Sequence, residues 1–229
     1  MNPLLDMLSA DLFPLHLALA FVFGTLWGSF FGLCIARIPA DKSIVFPNSY
    51  CFACGQTIRW YDNLPLVSYW ILRGRCRGCG TVFGFRHFFI ELLSGFLFAW
   101  VFWERGYTPT ILSAWIFTGI LLISTFTDLD HWIIPDRVSL GGVVIGILLA
   151  LIPFPHDESN IIWKAGPFPF YQDGWWTPVA NAAIGALFGY AIMWFIGKIG
   201  SWIFRKEAMG GGDMKLLACI GAFLGITNC

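Results

Sequence analysis

Residues 14–36 contain no Asp, Glu, Lys or Arg, and an apolar run of about 20 residues is what a helix needs to cross the hydrocarbon of a bilayer. Inside hydrocarbon every backbone N–H and C=O must find a partner within the protein, so such a run folds as a helix. Further apolar runs lie near 88–103, 111–127, 138–153, 179–200 and 214–228. Together they predict an all-α polytopic membrane protein with about six transmembrane helices. Composition agrees: 57% of the 229 residues are hydrophobic and only 12% are charged, about half the charge of a soluble domain. The formal net charge is zero, so no overall field draws nucleic acid to the chain. The first fifteen residues carry Asp6 and Asp11 but no Lys or Arg. They lack the basic start of a secretory signal, and the first run is expected to stay as a membrane helix.

This reading divides the chain into a first transmembrane segment at 1–36, a polar cysteine-rich stretch at 37–87 and a transmembrane core at 88–229. Another connection, 154–178, is rich in Pro, Trp and Phe and suits a membrane interface. Basic residues set the orientation. With 37–87 in the cytoplasm, all fourteen Lys and Arg except Arg105 and Lys164 fall on that side. Positively charged loops stay inside, so the N terminus is expected outside and the cysteine-rich stretch inside.

Residues 51–55 read CFACG and 76–80 read CRGCG. Two C-x-x-C pairs at such a separation suit a four-thiolate zinc site of Cys51, Cys54, Cys76 and Cys79. The glycine after each pair allows the tight turn that brings two sulfurs to one ion. A closed four-sulfur shell makes the metal structural, holding together a zinc-ribbon-like insertion with little core of its own. Two other readings stay open here: reduced thiols without metal, and a redox pair. Cys34, Cys219 and Cys229 lie in apolar surroundings and read as packing residues.

Residues 124–137 read STFTDLDHWIIPDR and 207–225 read EAMGGGDMKLLACIGAFLG. Asp128 and Asp213 each stand where an apolar helix meets the same membrane face. Ionisable groups at membrane depth are costly enough to suggest function. Two neighbouring carboxylates share one proton; the ionised one can activate water while the protonated one donates to a scissile carbonyl oxygen. Gly210, Gly211 and Gly212 would support an extended backbone and close approach of a substrate. Capping offers the alternative for Asp213, and an ordinary interfacial charge the alternative for Asp128. Asp130 and Asp136 read as ordinary charges, Asp136 as a cap for the helix near Arg137.

The blocks GSFFGLCIARIP (28–39), FPNSYCFACG (46–55), NLPLVSYWILRGRCRGCG (63–80), FRHFFIELLSG (85–95), DLDHWIIPD (128–136) and GGGDMKLLA (210–218) run through most of the sequence. They resemble the type IV prepilin peptidases, also called leader peptidase/N-methyltransferases, of the GxGD class of membrane aspartyl proteases. The resemblance implies that Asp128 and Asp213 form the catalytic dyad. It implies a substrate as well, a type IV prepilin or type II secretion pseudopilin in the inner membrane, whose leader is cut on the cytoplasmic side. It further implies N-methylation of the new N terminus, usually Phe, with S-adenosylmethionine. Arg37, Pro39 and Glu91 match the family pattern. Gly32 stands where the family usually has Asn, near the region linked to methylation. The family also commonly continues with one or two helices beyond the GxGD helix, whereas this sequence stops at Cys229, as a truncated or a short form would. Competing readings are a presenilin-like intramembrane protease and a non-enzymatic zinc-stabilised scaffold or cation transporter.

Overall fold

The computed structural model describes residues 3–51, 53–152, 176–206 and 209–225, with backbone alone for 3–11. Its helices are α1 (Pro3–Arg37), α2 (Val67–Ile71), α3 (Phe85–Arg105), α4 (Ile111–His131), α5 (Asp136–Ala150), α6 (Thr177–Phe204) and α7 (Gly211–Leu224), with one 3-10 turn at Trp60–Asn63. Among the described residues the only β pairing is two isolated antiparallel bridges. Apart from 176–178, the aromatic connection 154–178 lies outside the described residues.

The chain packs as two compact units, Met1–Ile111 and Leu112–Cys229. In the first, α1 and α3 form an antiparallel pair. Packing therefore groups α3 with α1, where the sequence reading grouped it with the core that follows. The reason lies in small residues: a Cβ added at Gly24 would stand 2.6 Å from the Ser94 carbonyl, and one at Gly28 would stand 2.7 Å from Glu91 Cα. Only glycine lets the two backbones approach so closely. The cysteine-rich segment joins the two helices. α1 also begins well before the apolar run. Residues 4–13 contain no helix breaker, and Pro3 takes the first helical position, where its missing N–H costs nothing.

In the second unit α7 packs against both α5 and α6. Gly185 and Gly221 meet backbone to backbone, since a Cβ at 221 would lie 2.1 Å from the Gly185 carbonyl. Phe117 of α4 stacks on Phe223 of α7 with ring centroids 4.9 Å apart. Gly142 of α5 lies between Ile120 of α4 and Cys219 of α7.

Among the described residues four helices are long and apolar enough to cross a membrane: 12–37 of α1, α3, α4 and α6. Helices stand at all six expected places, but α5 and α7 have 15 and 14 residues. At 1.5 Å per residue those are about 22 and 21 Å long, short of a ~30 Å hydrocarbon core. Large apolar side chains such as Phe96, Trp100, Leu187 and Phe195 point outward, as a lipid-facing surface requires.

Candidate functional site

The two cysteine knuckles repeat one geometry. In the first, the Cys51 N–H donates to the Gln56 carbonyl at 2.9 Å and the Gly55 N–H to the Cys51 carbonyl at 2.8 Å. In the second, Cys76 donates to Thr81 and Gly80 to Cys76 at 2.8 and 2.9 Å. Gly55 and Gly80 close the turns at φ +70° and +72°, a region that glycine enters without steric cost. The four Sγ atoms lie within 4.8 Å of one another, and Cys51 and Cys79 Sγ are 3.8 Å apart. A tetrahedral ion with Zn–S bonds of about 2.3 Å needs sulfurs about 3.8 Å apart. The cluster can therefore hold a metal ion of that kind. None of the four is in a disulfide. The Thr81 hydroxyl, 3.1 Å from Cys79 Sγ, and the Thr81 N–H hold that thiol down to about 6. Backbone N–H groups of Cys54 and Ala53 lower Cys51 as well. Both favour the thiolate that metal binding requires. Beside the cluster Arg77 grips Asp62 at 2.6 Å, which keeps the Asp62 carboxyl below the usual range.

In the second unit Asp128 is exposed in the last turn of α4 and Asp213 is half-buried as the third residue of α7. Neither carboxylate has a hydrogen-bond or ion-pair partner among the described residues, so Asp213 does not cap its helix. Gly210 alone stays extended, at φ −73° and ψ 148°, while Gly211 and Gly212 already belong to α7. The helix starts earlier than the glycine run suggested because the first N–H groups of a helix need no intrahelical partner. A Cβ at Gly211 would meet nothing within 4 Å, whereas one at Gly212 would press on Ile134 at 3.1 Å.

The contacts bring both aspartates to one end of this unit. From the Phe117–Phe223 stack, Asp128 lies 11 residues along α4 and Asp213 10 residues back along antiparallel α7. Those rises are about 16 and 15 Å, in the same direction. The α4–α5 link then touches α7 through Ile134 and Gly212, and Lys215 Nζ pairs with Asp136 Oδ1 at 2.6 Å. Asp136 thus serves as an ion-pair partner. It is the first residue of α5, after an N-cap Pro135 that offers no side-chain cap, so its carboxylate is free to reach α7.

The first unit also holds a cavity of about 580 Å³ between α1, the cysteine-rich segment and the start of α3. Glu91, 5% exposed, accepts the Leu66 N–H through Oε2 at 2.9 Å and faces His87 Nε2 through Oε1 at 3.4 Å. Leu66 sits at φ +59°, a strained conformation for leucine that this hydrogen bond helps to hold. Buried Arg37 donates to the Ser43 and Pro47 carbonyls at 3.0 and 2.9 Å, tying the segment to the end of α1. Neither this cavity nor His87 stood out in the sequence. The RHFFIE spacing, with His and Glu four apart on a helix face, was the signal available.

Together these features define a multi-pass helical membrane protein with a four-thiol centre in one unit and two unpartnered acids at one end of the other. Residues 22–105 match the bacterial peptidase A24 N-terminal domain. With residues 115–229 matching as well, the chain belongs to the type IV leader peptidase family. Relatives named prepilin leader peptidase/N-methyltransferase include proteins from Myxococcus xanthus (strain DK1622), at 38% identity over 92% of this chain, Neisseria gonorrhoeae, at 33% over 93%, and Klebsiella pneumoniae, at 32% over 90%. The aligned region spans 57%, 76% and 83% of those proteins' own lengths, respectively. No solved structure matches the chain.

Proposed function

We propose that this chain is a membrane aspartyl endopeptidase that removes the leader of type IV prepilins or pseudopilins at the cytoplasmic face of the inner membrane. We propose also that it methylates the new N terminus with S-adenosylmethionine. The observation that carries the peptidase reading is the arrival of Asp128 and Asp213, both without partners, at one end of antiparallel α4 and α7. One carboxylate takes a proton from water, the other donates to the carbonyl oxygen of the scissile peptide, and the amine leaves with the proton returned to it. Gly210 and Gly211 leave the approach to Asp213 open, which suits an extended substrate backbone. The family's shared name supports the substrate class and the second activity. Cys51, Cys54, Cys76 and Cys79 would hold a structural zinc ion, whose role is to order the segment that carries the cavity. S-adenosylmethionine would supply an electrophilic methyl carbon.

The test incubates purified protein with a synthetic prepilin, with and without S-adenosylmethionine, and reads the product by mass spectrometry. Asp128→Ala and Asp213→Ala are each expected to reduce cleavage at least ~10³-fold while the protein remains in the membrane. Robust processing by Asp213→Ala removes the dyad. Metal or proton flux without any product would favour a scaffold or transporter, and cleavage within a transmembrane segment would favour a presenilin-like protease.

A further inference from the structure

The cavity of the first unit has the composition of a reaction chamber. At about 580 Å³ it falls within the ~300–1,000 Å³ typical of small-molecule sites. Leu26, Phe30 and Leu33 of α1 give it an apolar wall, while Glu91 gives it an acidic one, the Asp62 carboxylate nearby being already paired with Arg77. An apolar chain that ends in an ammonium group suits both walls, and a sulfonium compound suits the acidic one.

His87 stands between those walls. Its Nε2 lies 3.4 Å from Glu91 Oε1, and Glu91 is fixed in turn by the Leu66 N–H. A buried carboxylate beside Nε2 keeps the proton on that nitrogen and leaves Nδ1 as the acceptor. The Nδ1–Cε1 edge occupies the space over Gly32, where an added Cβ would stand 2.6 Å from both atoms. His87 lines the cavity, and half of its side chain remains exposed. Gly32 therefore has a specific role in this chain, namely to leave room for the imidazole.

Resting on the methyltransferase half of the proposed function, we infer that this cavity receives the free amino terminus of the cleaved substrate, and that His87, oriented by Glu91 and housed by Gly32, is the base that accepts its proton. An N-terminal ammonium has no lone pair with which to attack a methyl carbon. Its N–H bond breaks, the bonding pair stays on the amine nitrogen as a nucleophilic lone pair, and the proton forms a new N–H bond at Nδ1. The imidazolium is then stabilised by the Glu91 carboxylate. Glu91 acts through His87 and is a positioning residue.

The test uses the full chain in detergent and a peptide that already carries the processed N terminus, so methylation is read without cleavage. With saturating S-adenosylmethionine, His87→Gln is expected to methylate about 100-fold more slowly, the lower range for loss of a general base. Gly32→Ala, which displaces the ring, is expected to lose at least ~10-fold. The double variant should be no slower than His87→Gln alone, because the alanine then has no imidazole left to displace. A second readout is calorimetric binding of S-adenosylhomocysteine. His87→Gln should bind within about threefold of the unsubstituted chain, whereas Ser29→Trp, which fills the cavity from α1, should not bind. Circular dichroism identifies the folded variants. His87→Gln methylating within threefold of the unsubstituted chain, additive losses in the double variant, or retained binding by Ser29→Trp would each overturn this inference alone. An unsubstituted chain that neither binds nor methylates overturns the methyltransferase reading, and this inference with it.

Discussion

Thr81 lies outside the four-sulfur set, yet its hydroxyl and N–H together hold the Cys79 thiol down to about 6. Metal ligation requires thiolate, so a raised thiol pKa makes protons compete with the ion. Thr81→Val removes the hydroxyl and moves Cys79 up toward the ordinary thiol value of ~8.5. The loss is full below about pH 6 and shrinks as pH rises between the two values: about tenfold weaker zinc binding at pH 7, fading above about pH 9, where either protein presents thiolate. Competition with a chromogenic chelator across that range measures it. The cysteines and aspartates were legible in the sequence because spacing and neighbours announce them. The place of Asp136 was not. An acid at a helix start reads as a cap, and only the approach of α7 reveals Lys215 as its partner. Likewise Gly32 read as a departure from the family pattern until His87, distant in sequence, was found over it.

At the scale of elements, stacked glycines decide which helices touch. Gly24, Gly28 and Gly32 recur at every fourth position and face α3, while Gly185 and Gly189 do the same for α7. The spacing was visible in the sequence, but it does not say which helix is the partner, which is why packing places α3 with α1. Not every glycine has this role, and the contrast is testable. Gly221→Val sets a branched side chain where a Cβ already lies 2.1 Å from backbone oxygen. Forcing α6 and α7 apart should cost about 3 kcal/mol or more and lower the unfolding temperature in detergent. Gly141→Ala in α5 meets nothing within 4 Å and should stabilise by roughly 0.5–1 kcal/mol. Equal melting temperatures for the two variants would contradict the close-contact account of the α6–α7 pair.

At the scale of the whole molecule the remaining question is which way each unit faces across the bilayer. Helix length and hydropathy identify spans but carry no direction; the apolar runs at 138–153 and 214–228 were themselves shorter than the ~20 residues a span needs, as α5 and α7 are. Direction comes from charge: the Lys and Arg of the chain gather on one side of the expected spans, with Arg105 and Lys164 the exceptions. Cationic loops resist translocation, so the polar ends of both units are expected in the cytoplasm. Cys54 is exposed at the cysteine cluster and His131 is exposed at the end of α4. In inside-out membrane vesicles treated with chelator, a membrane-impermeant maleimide should label Cys54. In a background with the other cysteines replaced by serine, it should also label a His131→Cys protein. Right-side-out vesicles should protect both positions until they are permeabilised. Labelling of either position from the outer face would reverse the orientation of that unit, and for His131→Cys it would carry Asp128 away from the side on which a cytoplasmic leader could be cut.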